Sequence, residues 1–201
     1  ANNTEMLVKV GDYCIEKKKC FSKNFQIEWD KKKVYLMFHK PVGCVTALVD
    51  EYYKTIMDYI NIKERVFPIG RLDYNTSGLL LLTNDGDFAN NIMHPRYEIK
   101  KTYLVRIHKP ITNQLISAIE KGIQLEDGMT SPSKVNKLEP GLLEITIHEG
   151  KNRVVRRIFN ALGFKVVFLE RIRIGKLELG TLAEGKYRSL TADEKKSIFK
   201  V

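Results

Sequence analysis

The sequence predicts an α+β protein built on a mixed, largely antiparallel sheet flanked by helices. Two observations lead there. Segments with strand periodicity outnumber those with helical periodicity, and hairpin signals join several of the strands. The 201 residues, 43% of them hydrophobic, suffice for one sizeable core with a small appendage. No internal repeat, low-complexity segment or Gly/Ser linker interrupts the chain.

Residues 1–32 stand apart as a short basic N-terminal segment. Lys17, Lys18, Lys19, Lys23, Lys31, Lys32 and Lys33 crowd it or border it, around the alternating Phe25, Ile27 and Trp29. It reads as short strands with basic turns, or simply as a solvated face. Residues 33–201 read as the main domain. VYLMF (34–38) is a strand running into the turn HKPVG (39–43). Ile56 and Ile60 at i, i+4 spacing predict a short helix over 54–60. VFPIG (66–70) is a strand into a turn, and LLLLT (79–83) is a buried strand. Asp85 caps a helix bearing Phe88, Ala89, Ile92 and Met93, which Pro95 ends.

TYLVRI (102–107) alternates, with Tyr103, Val105 and Ile107 on one face and Thr102, Leu104 and Arg106 on the other. Residues 112–121 form an amphipathic helix closed by Gly122. KVNKL and LLEITIH around Pro140-Gly141 make a hairpin. A helix from Asn152 to Leu162 ends at Gly163. VVFLERIRI (166–174) is a strand with Arg171 and Arg173 on one face, and the phase break at Gly175 predicts a bulge. Thr191 and Glu194 form a capping box for a last short helix.

The formal net charge is +10, from 34 Lys and Arg against 24 Asp and Glu. Such an excess points to a polyanion, most often nucleic acid, with a merely soluble basic protein as the alternative. Cys14, Cys20 and Cys44 are odd in number and lack zinc-ligand spacing, so a reducing compartment fits better than a disulfide framework. No apolar run has membrane-spanning length and no secretory pattern is present.

Two stretches carry chemistry. GRLDYNTSGLLLLTNDGD (70–87) gathers Gly70, Arg71, Asp73, Asn75, Thr76, Ser77 and Gly78 in one loop between apolar strands. Loops so held display catalytic groups. The residues alone leave Asp73 open as nucleophile, base, metal ligand or turn cap. A P-loop is excluded, because GxxxxGK[ST] does not occur. A metal site has little support, since His39, His94, His108 and His148 are scattered. EGKNRVVRRIFNALGF (149–164) sets Val154, Ile158 and Leu162 on one helical face and Arg153, Arg156, Arg157 and Asn160 on the other. Guanidinium groups presented together suit phosphate contact and base stacking; a solvated helix face is the bland alternative.

GRLD followed by SGLLLLTNDGD resembles the RsuA-type branch (RsuA/RluB/RluE/RluF) of ribosomal RNA pseudouridine synthases. So do HKPVG with Lys40, Pro41 and Gly43, KKTYLV with Lys101 and Tyr103, EGKNRVVRRIF, and FLERIRIGKLELGTLAEGKYRSLT. These matches run in order across residues 34–194. Two departures stand out: Val154 occupies the family's glutamine position, and only residues 1–32 stand where the family carries an S4 RNA-binding domain, so they are read as a remnant.

The resemblance implies the pseudouridine synthase fold, with a bent sheet, and conversion of uridine to pseudouridine in RNA without cofactor or metal. It implies Asp73 as nucleophile and Tyr103 as the ring that stacks on a flipped-out uracil and helps remove its C5 proton, against core packing as the plainer role. Arg156 would pair with Asp73. Arg71, Lys101, Arg153, Arg157 and Lys40 would bind the RNA. The implied partner is RNA, ribosomal RNA first, with no membrane; a monomer in the cytoplasm is expected, or in an organelle. Two other classes compete: a catalytically inactive RNA-binding protein of this fold, and an unrelated basic α+β enzyme such as a nuclease.

Overall fold

The computed structural model describes residues 19–22, 25–28 and 32–200. The chain divides into two units, 1–33 and 34–201, each described by itself. In the first, β1 (Lys19–Ser22) pairs antiparallel with β2 (Phe25–Glu28). The rest of the basic segment, and with it the reading as an S4 remnant, lies outside the described residues, as does Cys14.

The second unit is one large sheet flanked by helices. Its strands are β3 (Tyr35–Lys40), β4 (Phe67–Ile69), β5 (Ser77–Thr83), β6 (Lys101–Ile107), β9 (Lys134–Glu139), β10 (Leu142–Ile147), β11 (Val166–Ile174), β12 (Leu177–Glu178) and β13 (Tyr187–Ser189). A separate small hairpin joins β7 (Gln124–Leu125) and β8 (Gly128–Met129). The main path runs β13-β3-β5-β11-β6-β10-β9, with β4 on β5 and β12 on β11. Every pair of named strands in it is antiparallel except β5 with β11, so the sheet is mixed and largely antiparallel, as the sequence predicts. The helices are α1 (Gly86–Met93), α2 (Asn113–Lys121), α3 (Val154–Ala161) and α4 (Ala192–Ser197).

The apolar run of β5 is buried at all seven positions because the strand is covered on both faces. Leu79 and Leu81 meet Met37, Ala89 and Ile92, while Leu80 and Leu82 meet Leu36, Phe38, Ile56 and Leu72. Farther along the sheet, Val105, Ile107, Leu143 and Ile145 pack under Val154, Val155, Ile158 and Phe159 of α3. The Asp85 cap and the Thr191/Glu194 capping box form as predicted, and Thr112 stands before α2 as its N-cap. Among the described residues no helix is long and apolar enough to cross a membrane.

Four expectations change. The helix over 54–60 is a single 3-10 turn, Ile56–Asp58, because Asp58 accepts from both the Thr55 N–H and its hydroxyl and closes the chain tightly. Gly175, at φ 57°, belongs to a tight turn in which Ile174 pairs with Leu177, so no bulge sits there. The register shifts instead between Arg171 and Arg173, which rotates the two arginines apart. Arg171 is buried, whereas Arg173 pairs with Glu178 at the surface. Finally, α3 begins at Val154, and Arg153 sits before it as N-cap with a left-handed backbone, φ 49°.

Gly78 is needed where β5 and β11 meet. A Cβ there would lie 2.3 Å from the Arg171 carbonyl oxygen, and its φ of 110° disfavours any other residue. The contact fixes a row across the sheet, Lys40↔Gly78↔Arg171↔Tyr103, each opposite the next on neighbouring strands. At strand spacing, Tyr103 is thus about 10 Å from the start of β5, where the Asp73 loop ends.

Candidate active site

The loop 70–76 is held by its backbone. The Leu72 carbonyl accepts from the Thr46 hydroxyl at 2.7 Å, the Asp73 carbonyl from Lys40 Nζ at 3.1 Å and from the Thr76 N–H at 3.0 Å. The Tyr74 carbonyl accepts from the Gly43 N–H at 2.9 Å, that of Asn75 from Arg156 Nη2 at 2.6 Å, and that of Thr76 from Lys40 Nζ at 3.1 Å. Five consecutive carbonyls are therefore occupied, each by a donor from one of two other stretches of the chain, residues 40–46 and Arg156. The Asp73 carboxylate takes none of these bonds. Its side chain keeps 40% of its surface exposed, and its ion-pair partner is Arg153, whose Nε lies 4.0 Å away. A carboxylate displayed on a rigid loop beside a cation is equipped for nucleophilic or base chemistry.

The expected pairing of Arg156 with Asp73 is not formed. Arg156 spends its guanidinium on the Asn75 and Val166 carbonyls, and Arg153, displaced from the helix by its left-handed backbone, takes the place nearest the carboxylate. Burial, then the charge of Arg153, press the Arg156 pKa down, and Asp73 opposes both. Arg157 is held by both Asp127 oxygens, at 2.5 and 3.2 Å. Arg71 is exposed.

The expected contact of Lys40 with substrate is also overturned. Lys40 is fully buried, and its three donors go to the carbonyls of Pro41, Asp73 and Thr76. An ammonium has three N–H groups and no more, so none remains for RNA.

Tyr103 shares its face with Val105 as predicted and touches two apolar clusters while remaining partly exposed. Beside it lies Arg171, a residue whose position the sequence did not disclose. Its Nε donates to the Leu79 carbonyl at 2.7 Å and its Nη1 reaches the Tyr103 hydroxyl at 3.5 Å. The broken alternation of VVFLERIRI was the available signal. Among the described residues, Thr76 Oγ1, Ser77 Oγ, Arg156 Nε and Arg171 Nη2 are buried without a hydrogen-bond partner. Such atoms are rare in a settled interior and gather where function outweighs stability.

Lys101 carries a measurable form of that conflict. Its ammonium donates to the Ile99 carbonyl, yet burial, and then the charge of Arg171, lower its pKa to about 8. In the unfolded chain it titrates near ~10.4. Between those values the unfolded state binds more protons, so this group makes stability rise with pH through that window. Lys101→Met is expected to stabilise the fold at pH 7 by about 1–3 kcal/mol, with the gain shrinking toward pH 10. Denaturant unfolding at both pH values checks this; an equal gain at both would refute it.

The fold and the site define a class of protein, an enzyme with one displayed carboxylate set among cationic side chains. The family model described as RNA pseudouridylate synthase matches residues 34–161. The chain is 44% identical over 176 residues to the ribosomal large subunit pseudouridine synthase B of Bacillus subtilis (strain 168), covering 84% of this chain and 72% of that one. It is 36% identical over 208 residues to the ribosomal small subunit pseudouridine synthase A of Vibrio cholerae, covering 98% and 87%. A crystal structure of a pseudouridylate synthase superposes with a TM-score of 0.80 at 36% identity, over 90% of this chain and 80% of that one. The chain belongs to the RNA pseudouridylate synthase family, and its fold is that of these enzymes.

Proposed function

We propose that this chain isomerises a uridine to pseudouridine in ribosomal RNA, with Asp73 as the nucleophile. The observation that carries the reading is the Asp73 loop, whose carbonyls are tied down while its carboxylate stays presented beside Arg153. The names of the relatives, which act on the large or the small ribosomal subunit, support the substrate class.

The target nucleotide leaves its stack so that C1′ can come within reach of Asp73. The C1′–N1 bond breaks, the uracil turns, and a C1′–C5 bond forms. The proton on C5 passes to a base and then to water, and N1 ends with a proton, so atoms balance without a donor. Tyr103 stacks on the uracil, and Arg171 steadies its hydroxyl. Arg156 acts by fixing the loop, Arg153 faces the carboxylate, and Arg71, Arg157 and Lys101 are the remaining RNA contacts. Residues 33–201 are taken as the catalytic domain and the basic stretch 1–32 as an addition for RNA affinity. The same reading has the chain working as a monomer in the cytoplasm.

Pseudouridine mapping of ribosomal RNA from cells with and without the protein tests this. One position should lose its pseudouridine, and the purified chain should release tritium from a transcript of that RNA carrying 5-tritiated uridine. Release should persist in EDTA once the RNA is folded beforehand. A complete set of modified positions in the deleted strain, with no release in vitro, would defeat the proposal.

A further inference from the structure

An exposed aromatic surface adjoins the Asp73 loop. Of the large apolar side chains exposed on the second unit, Val42, Leu48, Val49, Tyr52, Tyr53 and Tyr74 fall in two segments bonded to each other, by the Gly43 N–H to the Tyr74 carbonyl. Exposed apolar groups scattered singly mean nothing; a concentration marks an interaction site. Tyr52 is 86% exposed and Tyr53 54%.

The surface is built on a fixed frame. Residues 46–53 leave the body and return to it between Val45 and Thr55, which form a bridge, with the Val45 N–H bonded to the Lys54 carbonyl at 2.9 Å. At the tip, Asp50 Oδ1 accepts from the N–H groups of both Tyr52 and Tyr53 at 2.9 Å, which sets the turn that carries the two rings. Tyr53 meets Tyr74 edge to face, with centroids 5.3 Å apart. Thr46 ties the base of the excursion to Leu72, the residue before Asp73. The Tyr53 ring is thus placed against Tyr74 of the catalytic loop, and the Tyr52 ring beside it is open to solvent.

Local charge identifies what fits. Asp50 and Glu51 precede the tyrosines, and Lys54 follows them, all exposed. Two carboxylates against one ammonium repel a phosphate, so the surface is unsuited to the RNA backbone. Aromatic faces stack on unpaired bases instead, a contact blind to phosphate charge.

We infer that the 46–53 excursion, through Tyr52 and Tyr53 with Tyr74 behind them, is a stacking platform for unpaired nucleotides flanking the target uridine. This rests on the proposed function and deepens it, since it commits the enzyme to RNA that is single-stranded, or made so, beside the modified position.

The test uses the full chain, a twelve-nucleotide unpaired oligouridine, and its duplex with oligoadenosine. Binding is read by anisotropy across a salt series. The Tyr52→Ala/Tyr53→Ala protein should lose about five- to a hundredfold in affinity for the unpaired strand. The slope of log affinity against log salt should stay unchanged, duplex binding should barely move, and Tyr52→Phe/Tyr53→Phe should retain wild-type affinity. Arg71→Ala, at an exposed residue taken as an RNA contact, is the contrasting control, expected to flatten the slope by about 0.7. Unchanged affinity for the unpaired strand in the double alanine protein would overturn the platform and leave the patch as a surface for a protein partner. Equal losses on strand and duplex, or a flattened slope, would overturn it too. Tritium release by the wild-type protein separates the two readings. If release occurs and the tyrosines do not matter, only the platform falls; if the wild type never releases tritium, the proposed function falls, whatever the tyrosines do.

Discussion

Asp73→Asn is expected to abolish turnover while leaving the protein folded. The substitution keeps the shape of the side chain and replaces a nucleophilic oxygen with an amide, so release of tritium from 5-tritiated uridine should fall at least about a thousandfold. Little stability is at stake. The carboxylate is 40% exposed and its ion pair spans 4.0 Å to an Arg153 side chain that is 57% exposed, a pair of the kind worth about 0–1 kcal/mol. The contacts that hold the loop run to the backbone carbonyls of residues 72–76, and the substitution touches none of them. The melting temperature should therefore stay within a few degrees of wild type. Near-normal tritium release by the folded mutant would remove Asp73 from the chemistry.

The sequence disclosed what depends on local pattern. The run at Leu79–Leu82 was legible as a buried strand, the Asp85 and Thr191 caps were legible from residue type and spacing, and the loop between two apolar strands was legible as the place of display. It did not disclose what depends on register. Arg171 and Arg173 share a parity, and an unbroken strand would give them one face; a single shift between them sends Arg171 inward to Leu79 and Tyr103. Helical spacing likewise aligned Arg153 with Arg156 and Arg157. The chain is not yet helical at Arg153, and that one left-handed residue decides which guanidinium meets Asp73. Lys40 misled for another reason. A lysine in a basic chain reads as an RNA contact, and only the three-dimensional placement of three carbonyls around it reveals an interior role.

That interior role gives the second large effect. Lys40→Met keeps the length and the apolar stem of the side chain and removes the ammonium. The Pro41, Asp73 and Thr76 carbonyls would lose the ammonium at once; the Asp73 carbonyl keeps the Thr76 N–H, whereas the bonds to Pro41 and Thr76 lie in the interior. A carbonyl left so costs about 1–3 kcal/mol. The loss is partly offset, because Lys40 is charged in an interior that holds its pKa down, chiefly through burial, and methionine spares that desolvation. A net loss of about 2–4 kcal/mol remains, a sizeable share of the stability of a domain this size. Turnover should fall as well, since Lys40 bridges both ends of the Asp73–Thr76 turn and its removal lets the carboxylate wander. RNA affinity, and its slope against salt, should be close to wild type below the melting transition, because a buried cation neutralises no phosphate. Equilibrium denaturation, single-turnover tritium release and a binding series in salt separate the possibilities. A mutant of wild-type stability with a flattened salt slope would return Lys40 to the RNA interface and contradict the buried arrangement.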